Sequence, residues 1–105
     1  MSLPVTEEQV REALKQVKDP ELGFDVVNLG LVYGVRIDGD RVEVEMTLTT
    51  PACPAGPLIV EEAKQVIERV EGVREAEVRL VFEPRWTEDR MSEELKLMRR
   101  WGMFG

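Results

Sequence analysis

The chain is 105 residues long, carries a formal net charge of −7, and contains one cysteine and no histidine. That length fits a single domain, residues 1–105, with a core that needs no disulfide. The acid excess disfavours nucleic acid and anionic lipid as partners; the missing histidine excludes Ser-His-Asp, Cys-His and zinc–histidine chemistry; a lone thiol excludes an internal disulfide or CxxC pair.

Met1-Ser2-Leu3-Pro4-Val5 has no basic region or apolar run, and no later stretch is long enough to span a bilayer. A cytoplasmic location is therefore the expectation. Thr6 then reads as a helix cap with Gln9 as its capping-box partner, and Val5 and Val10 sit at staple positions. Val10, Ala13, Leu14 and Val17 form one apolar stripe, and Pro20 forces Asp19 out of the helical region. The following loop carries three acids, Asp19, Glu21 and Asp25. Composition alone reads it as helix termination plus a solvated turn; the alternative is a set of carboxylates for a cation or a partner's basic group. Gly30 suits a bulge or a close backbone approach.

Leu31 to Ile37 reads as a strand, and Asp38-Gly39-Asp40 as a hairpin turn. Arg41 through Thr50 alternates, with Val42, Val44, Met46 and Leu48 on one face and Glu43, Glu45, Thr47 and Thr49 on the other. Such a strand belongs to a sheet covered on one side only.

Thr49-Thr50-Pro51-Ala52-Cys53-Pro54-Ala55-Gly56 follows, where the strand pattern stops and a helical one begins. Pro51 and Pro54 stiffen the backbone around Cys53. A thiol ahead of a helix N-terminus loses its proton more readily, and the thiolate is both nucleophile and metal ligand. The alternative is a small buried hydrophobe, as most free cysteines are. The hydroxyls of Thr49 and Thr50 are placed to donate to a thiolate or anion, although β-propensity also explains them.

Gly56 through Val70 reads as the second helix, with Ile59, Ala63, Val66, Ile67 and Val70 inward and Gly72 as its stop signal. Glu75 through Glu83 is a third strand, with Ala76, Val78, Leu80 and Phe82 on one side; Pro84 ends it. Trp86 lies in an irregular segment, either capping the core or walling a pocket near the strand ends. Ser92 caps a last helix over 93–100 with Leu95 and Met98 inward, and Trp101, Met103 and Phe104 follow as an apolar tail. The pattern is a two-layer α+β domain of order α-β-β-α-β-α, a three-stranded sheet with helices on one face. It leaves open which neighbour the third strand takes.

Four segments together resemble the MIP18 family, the former DUF59 group that includes SufT and PaaD-type proteins. They are Asp19-Pro20-Glu21; Val27-Asn28-Leu29-Gly30-Leu31-Val32-Tyr33; Thr47-Leu48-Thr49-Thr50-Pro51-Ala52-Cys53-Pro54; and Val78 through Trp86 followed by Met91-Ser92. The resemblance covers almost the whole chain in order. It implies a domain of the iron–sulfur cluster assembly type and a role in maturing iron–sulfur proteins as carrier, targeting factor or adaptor. It further implies Cys53 as the reactive cysteine and cluster ligand, with Asp19, Glu21, Thr49, Thr50 and Trp86 around it. Arg85 departs from the family, where a second proline often precedes the tryptophan. PaaD-type members tend to carry an added cysteine-rich tail; these residues hold none, which favours the short SufT-like class.

Three functions follow for comparison. The first is a non-enzymatic carrier whose iron–sulfur cluster is held transiently at Cys53. Because clusters need several thiolates, it must be shared with an assembly scaffold, a client apoprotein or a second copy in a homodimer. The second is a cofactor-free adaptor that holds clients through the acidic loop, the Trp86 segment and the tail. The third is a redox-active thiol, against which stand the absence of a resolving cysteine and of an activating histidine.

Overall fold

Thr6 opens the first helix, α1 (Glu7–Leu14), with the full capping box: its hydroxyl accepts the Gln9 N–H at 3.2 Å, and the Gln9 side chain accepts the Thr6 N–H at 3.0 Å. Val5 and Val10 are both buried beside this cap, as a hydrophobic staple requires. The computed structural model describes residues 4–20, 22–49 and 55–101. The remaining elements are β1 (Val32–Asp38), β2 (Arg41–Met46), α2 (Gly56–Glu68), β3 (Glu75–Leu80), a 3-10 turn (Glu88–Arg90) and α3 (Glu93–Arg100). The element order is the one the periodicities predict.

α1 ends earlier than Pro20 would impose. Residues 17–26 instead close on themselves: the Asp19 N–H donates to Phe24 O at 2.9 Å and the Val26 N–H to Val17 O at 2.9 Å. That pairing captures the backbone of Val17 and Asp19 before proline can stop the helix. Val17 nevertheless completes the buried stripe with Val10, Ala13 and Leu14.

The sheet order is β1-β2-β3, which settles the open neighbour question: β3 lies beside β2 and parallel to it, while β1 and β2 form an antiparallel hairpin. Asp38 pairs with Arg41 across the turn, and Gly39 supplies the positive φ of 65° that a two-residue hairpin uses. Val42, Val44 and Met46 are buried under the helices. The opposite face carries ion pairs: Arg41–Glu77 at 3.0 Å, Arg41–Glu43 at 3.4 Å, and Arg36–Glu43 and Arg79–Glu45 at 3.9 Å. The half-wet sheet is thus as expected. The Arg41 guanidinium is held above its ordinary range, first by the hydrogen bond to Glu77 and then by the charges of Glu75 and Glu43.

The sheet departs from the sequence pattern at its lower end. Thr47, expected on the polar face, is only 1% exposed. The register shifts between Val32 and Gly34, opposite the end of β2. Beyond Met46 the chain leaves the strand, and the Thr47 N–H donates to Leu31 O at 2.8 Å. Phe82, expected inward, is 42% exposed. β3 stops at Leu80, and the chain turns away through a cis Glu83–Pro84 bond.

From that turn, residues 84–92 form a strap along the start of β1. The Tyr33 hydroxyl donates to Pro84 O at 2.8 Å, and the Arg90 guanidinium lies 4.6 Å above the Tyr33 ring. The Ser92 N–H donates to Asn28 O at 2.7 Å, and Met91 is buried. Gly30 is the close approach its sequence position suggests: φ is 75°, and a Cβ there would overlap the Arg90 carbonyl oxygen. Ser92 then caps α3, its Oγ accepting the Leu95 N–H at 3.3 Å.

Candidate functional site at the head of the second helix

β2 and β3 run parallel and finish at the same end of the sheet. Ligands in open α/β sheets gather at such carboxyl ends. Several hydrogen bonds tie this end together. The Val81 N–H donates to Met46 O at 2.8 Å, and the Trp86 Nε1–H to Leu29 O at 2.7 Å. α2 begins here too: a Cβ on Gly56 would lie 3.0 Å from Leu48 Cδ1 and 3.8 Å from Leu80 Cδ1.

Among the described residues no side chain caps the N-terminus of α2. Ala55 occupies the cap position, and Pro57 removes one donor of the first turn. The remaining N–H groups and the positive end of the helix dipole favour an anion or thiolate. A cleft of about 430 Å³ opens beside this turn, lined by Lys18, Pro20, Ala55, Leu58, Ile59 and Glu62 among others. The acidic loop after α1 and the start of α2 therefore share one surface.

Of the expected site residues, Cys53, Glu21 and Thr50 lie outside the described residues. Asp19 is fully buried, which corrects the expectation of a solvated turn. Its Oδ1 accepts the Leu22 N–H at 3.1 Å and its backbone carbonyl accepts the Gly23 N–H at 2.7 Å, so the carboxylate is built into the loop it shapes. Asp25 acts similarly, its two oxygens accepting the Asn28 backbone N–H at 2.9 Å and the side-chain Nδ2–H at 2.7 Å. The Thr49 hydroxyl oxygen is buried and has no hydrogen-bond partner among the described residues. Trp86 is half-buried against the core, with its indole N–H satisfied by Leu29. It does not line the Lys18–Leu58 cleft. Among the described residues no three His, Cys, Asp or Glu side chains stand close enough to hold a metal ion, and no helix is long and apolar enough to cross a membrane.

Sequence reasoning missed Lys18 and Leu58 as lining residues. Leu58 carried a signal: it is an apolar residue off the inward stripe of its helix, and it is 73% exposed. The Tyr33–Pro84 bond joins positions 51 residues apart, and no local pattern announces it.

The model of the iron–sulfur cluster assembly protein family matches residues 7–79. The chain belongs to this family. Similarity extends nearly end to end: the chain is 47% identical over 91 residues to the Fe-S protein maturation auxiliary factor YitW of Bacillus subtilis (strain 168), covering 86% of this chain and 89% of that one. It is 48% identical over 82 residues to the Fe-S protein maturation auxiliary factor SufT of Staphylococcus aureus (strain USA300), covering 77% and 93%. A conserved hypothetical protein from Thermotoga maritima has the same fold at a TM-score of 0.81 and 50% identity, covering 97% of this chain and 99% of that one. Family membership bears out the MIP18-type resemblance, and with it the α+β fold class.

Proposed function

We propose that this chain is an iron–sulfur protein maturation factor that hands clusters to client apoproteins and takes part in ligating them through Cys53. The observation that carries the reading is the near end-to-end similarity to maturation auxiliary factors of almost the same length. The geometry around α2 supports the choice of residue. Cys53 precedes Ala55 by two residues, a separation that covalent geometry caps at about 7 Å. The helix whose N-terminus follows it has Ala55 at its cap position and no side-chain cap among the described residues, a setting that favours a thiolate. Thr49 and Thr50 would offer hydroxyls to the sulfur or cargo, Asp19 and Glu21 would shape the facing loop, and Trp86 would brace the strand ends. With one thiolate and no histidine in the sequence, the chain supplies one ligand and shares the cluster with a scaffold, a client or a second copy. No bond of the cargo need be made or broken by a catalytic group, so the role is that of carrier, in the cytoplasm.

The test is anaerobic reconstitution with ferrous iron and sulfide, with and without an apo-client, comparing the parent with Cys53→Ser. The parent is expected to acquire the visible absorption of a cluster, with client present if not alone, and the variant is not. Two colourless products, with or without client, would remove the carrier reading.

A cofactor-free adaptor is the second reading. It draws on the exposed Leu58 and Phe82, apolar side chains at the same end of the domain and suited to holding a client. It predicts that Cys53→Ala retains client maturation while Leu58→Asp loses it.

A further inference from the structure

The strap over residues 84–92 carries a cation to the outer side of β1 and holds it there. The Arg90 main chain is pressed against Gly30, where a Cβ would overlap its carbonyl oxygen, and the guanidinium lies 4.6 Å above the Tyr33 ring. Tyr33 is itself fixed by its hydrogen bond to Pro84 O. Stacking uses the flat face of a guanidinium and leaves its N–H fork for a planar anion. Among the described residues no carboxylate pairs with Arg90. Gly30, Val32, Tyr33, Pro84 and Arg90 line a hollow of about 420 Å³. Glu88 and Asp89, acids of the same strap, line a different hollow with Lys96 and Arg100 of α3.

The Arg90 hollow stands at the start of an open edge. β1 is an outer strand of the sheet, so along one side its N–H and C=O groups have no strand to pair with. Among the described residues the strap gives β1 side-chain contacts and no backbone hydrogen bond. Arg36, exposed on the wet face of the same strand, meets Glu43 at 3.9 Å, and Arg85 follows Pro84 in the strap. The other outer strand, β3, has no stacked cation beside it among the described residues.

We propose that this edge and hollow dock an extended acidic segment of a partner polypeptide. The segment adds to β1 as a fourth strand, and one of its carboxylates sits on the Arg90 fork in the hollow. Main-chain bonds supply affinity and the carboxylate sets the register. Charge selects the occupant. The chain's −7 is summed over its whole length and is screened beyond about 8 Å at physiological salt, so the arginines beside β1 decide what approaches it. An Asp or Glu side chain and a chain-terminal carboxylate present the same chemistry to Arg90. Neither Cys53 nor a cluster takes part, so failure here leaves the carrier reading standing, and the reverse holds too.

The test is selection of random eight-residue peptides by the full chain, one library ending in a free C-terminus and the other displayed as an internal segment. Enriched peptides are expected to carry an acidic side chain or to require the free terminus; the two libraries tell these sources apart. They should bind Arg90→Gln about tenfold or more weakly, and Arg90→Lys should recover part of that by keeping the charge without the fork. Changing the peptide's acid to its amide, on the parent protein, should cost the same factor and involves no change in the strap. N-methylation of alternate peptide N–H groups should abolish binding in one phase and be tolerated in the other, because a strand turns every second amide to its neighbour. No enrichment, enriched peptides without an acidic group, equal binding to Arg90→Gln, or equal response to the two N-methylation phases would each overturn the proposal. So would a dimer in sedimentation velocity that the peptides cannot displace, which gives the edge to a second copy.

Discussion

Replacing Gly30 with alanine tests whether the strap over residues 84–92 is part of the folded core. Two costs add at this position. Its φ of 75° lies in the left-handed region, where alanine costs about 1 kcal/mol. The new Cβ would also overlap the Arg90 carbonyl oxygen and lie 2.6 Å from its carbonyl carbon. Backbone cannot swing aside as a side chain can, so overpacking adds about 1–3 kcal/mol. Gly39 is the internal control: its φ is 65°, and nothing stands within 4 Å of a Cβ built there. For a chain of this size about 1 kcal/mol moves the midpoint by about 5 °C. Gly39→Ala should therefore lower Tm by about 5 °C, and Gly30→Ala by about 10–20 °C. Thermal unfolding followed by circular dichroism decides. Equal shifts in the two variants would mean that the strap is not held against Gly30, and the account of this end of the domain would be wrong.

Trp86→Phe keeps most of the packing but strands the Leu29 carbonyl, and should cost about 1–2 kcal/mol in urea denaturation; no loss would show that the indole N–H bond is not made in solution. Thr6→Ala should cost about 1 kcal/mol by breaking the capping box, whereas Thr6→Ser should cost little. Asp19→Ala should destabilise by about 1–3 kcal/mol, because the Leu22 N–H loses its acceptor in a buried loop, and Asp19→Asn should recover most of that. For Arg41 the raised pKa means its contribution is complete below arginine's ordinary range and is lost only as pH rises beyond it. Arg41→Gln should thus show the parent's pH dependence of stability near neutrality, with any difference in Tm shrinking as salt is added.

What the sequence made legible was what depends on local spacing. The capping box at Thr6 and Gln9, the alternation from Val42 to Met46, the Gly39 turn and the Ser92 cap are each dictated by neighbours within four residues. Thr47, Phe82 and the early end of α1 were misread because longer-range partners decide them: Leu31 takes the Thr47 N–H, the turn at Pro84 carries the chain away after Phe82, and the 17–26 pairing replaces the last turn of helix. The candidate site divides the same way. Thr49 and the helix start after Cys53 follow from pattern, but the burial of Asp19 and the meeting of Lys18 and Pro20 with Leu58 depend on how α1 and α2 pack. Trp86 was legible as a capping aromatic; its partner Leu29, 57 residues away, was not.

The central claim is that the sulfur of Cys53 takes part in delivering clusters. Its most direct test is client maturation in cells that depend on this protein, with Cys53→Ser and Cys53→Ala expressed at the parent's level and the activity of an iron–sulfur enzyme measured. Loss of that activity in both variants, with the client polypeptide still present, is the predicted result. Activity equal to the parent in either variant would contradict the claim.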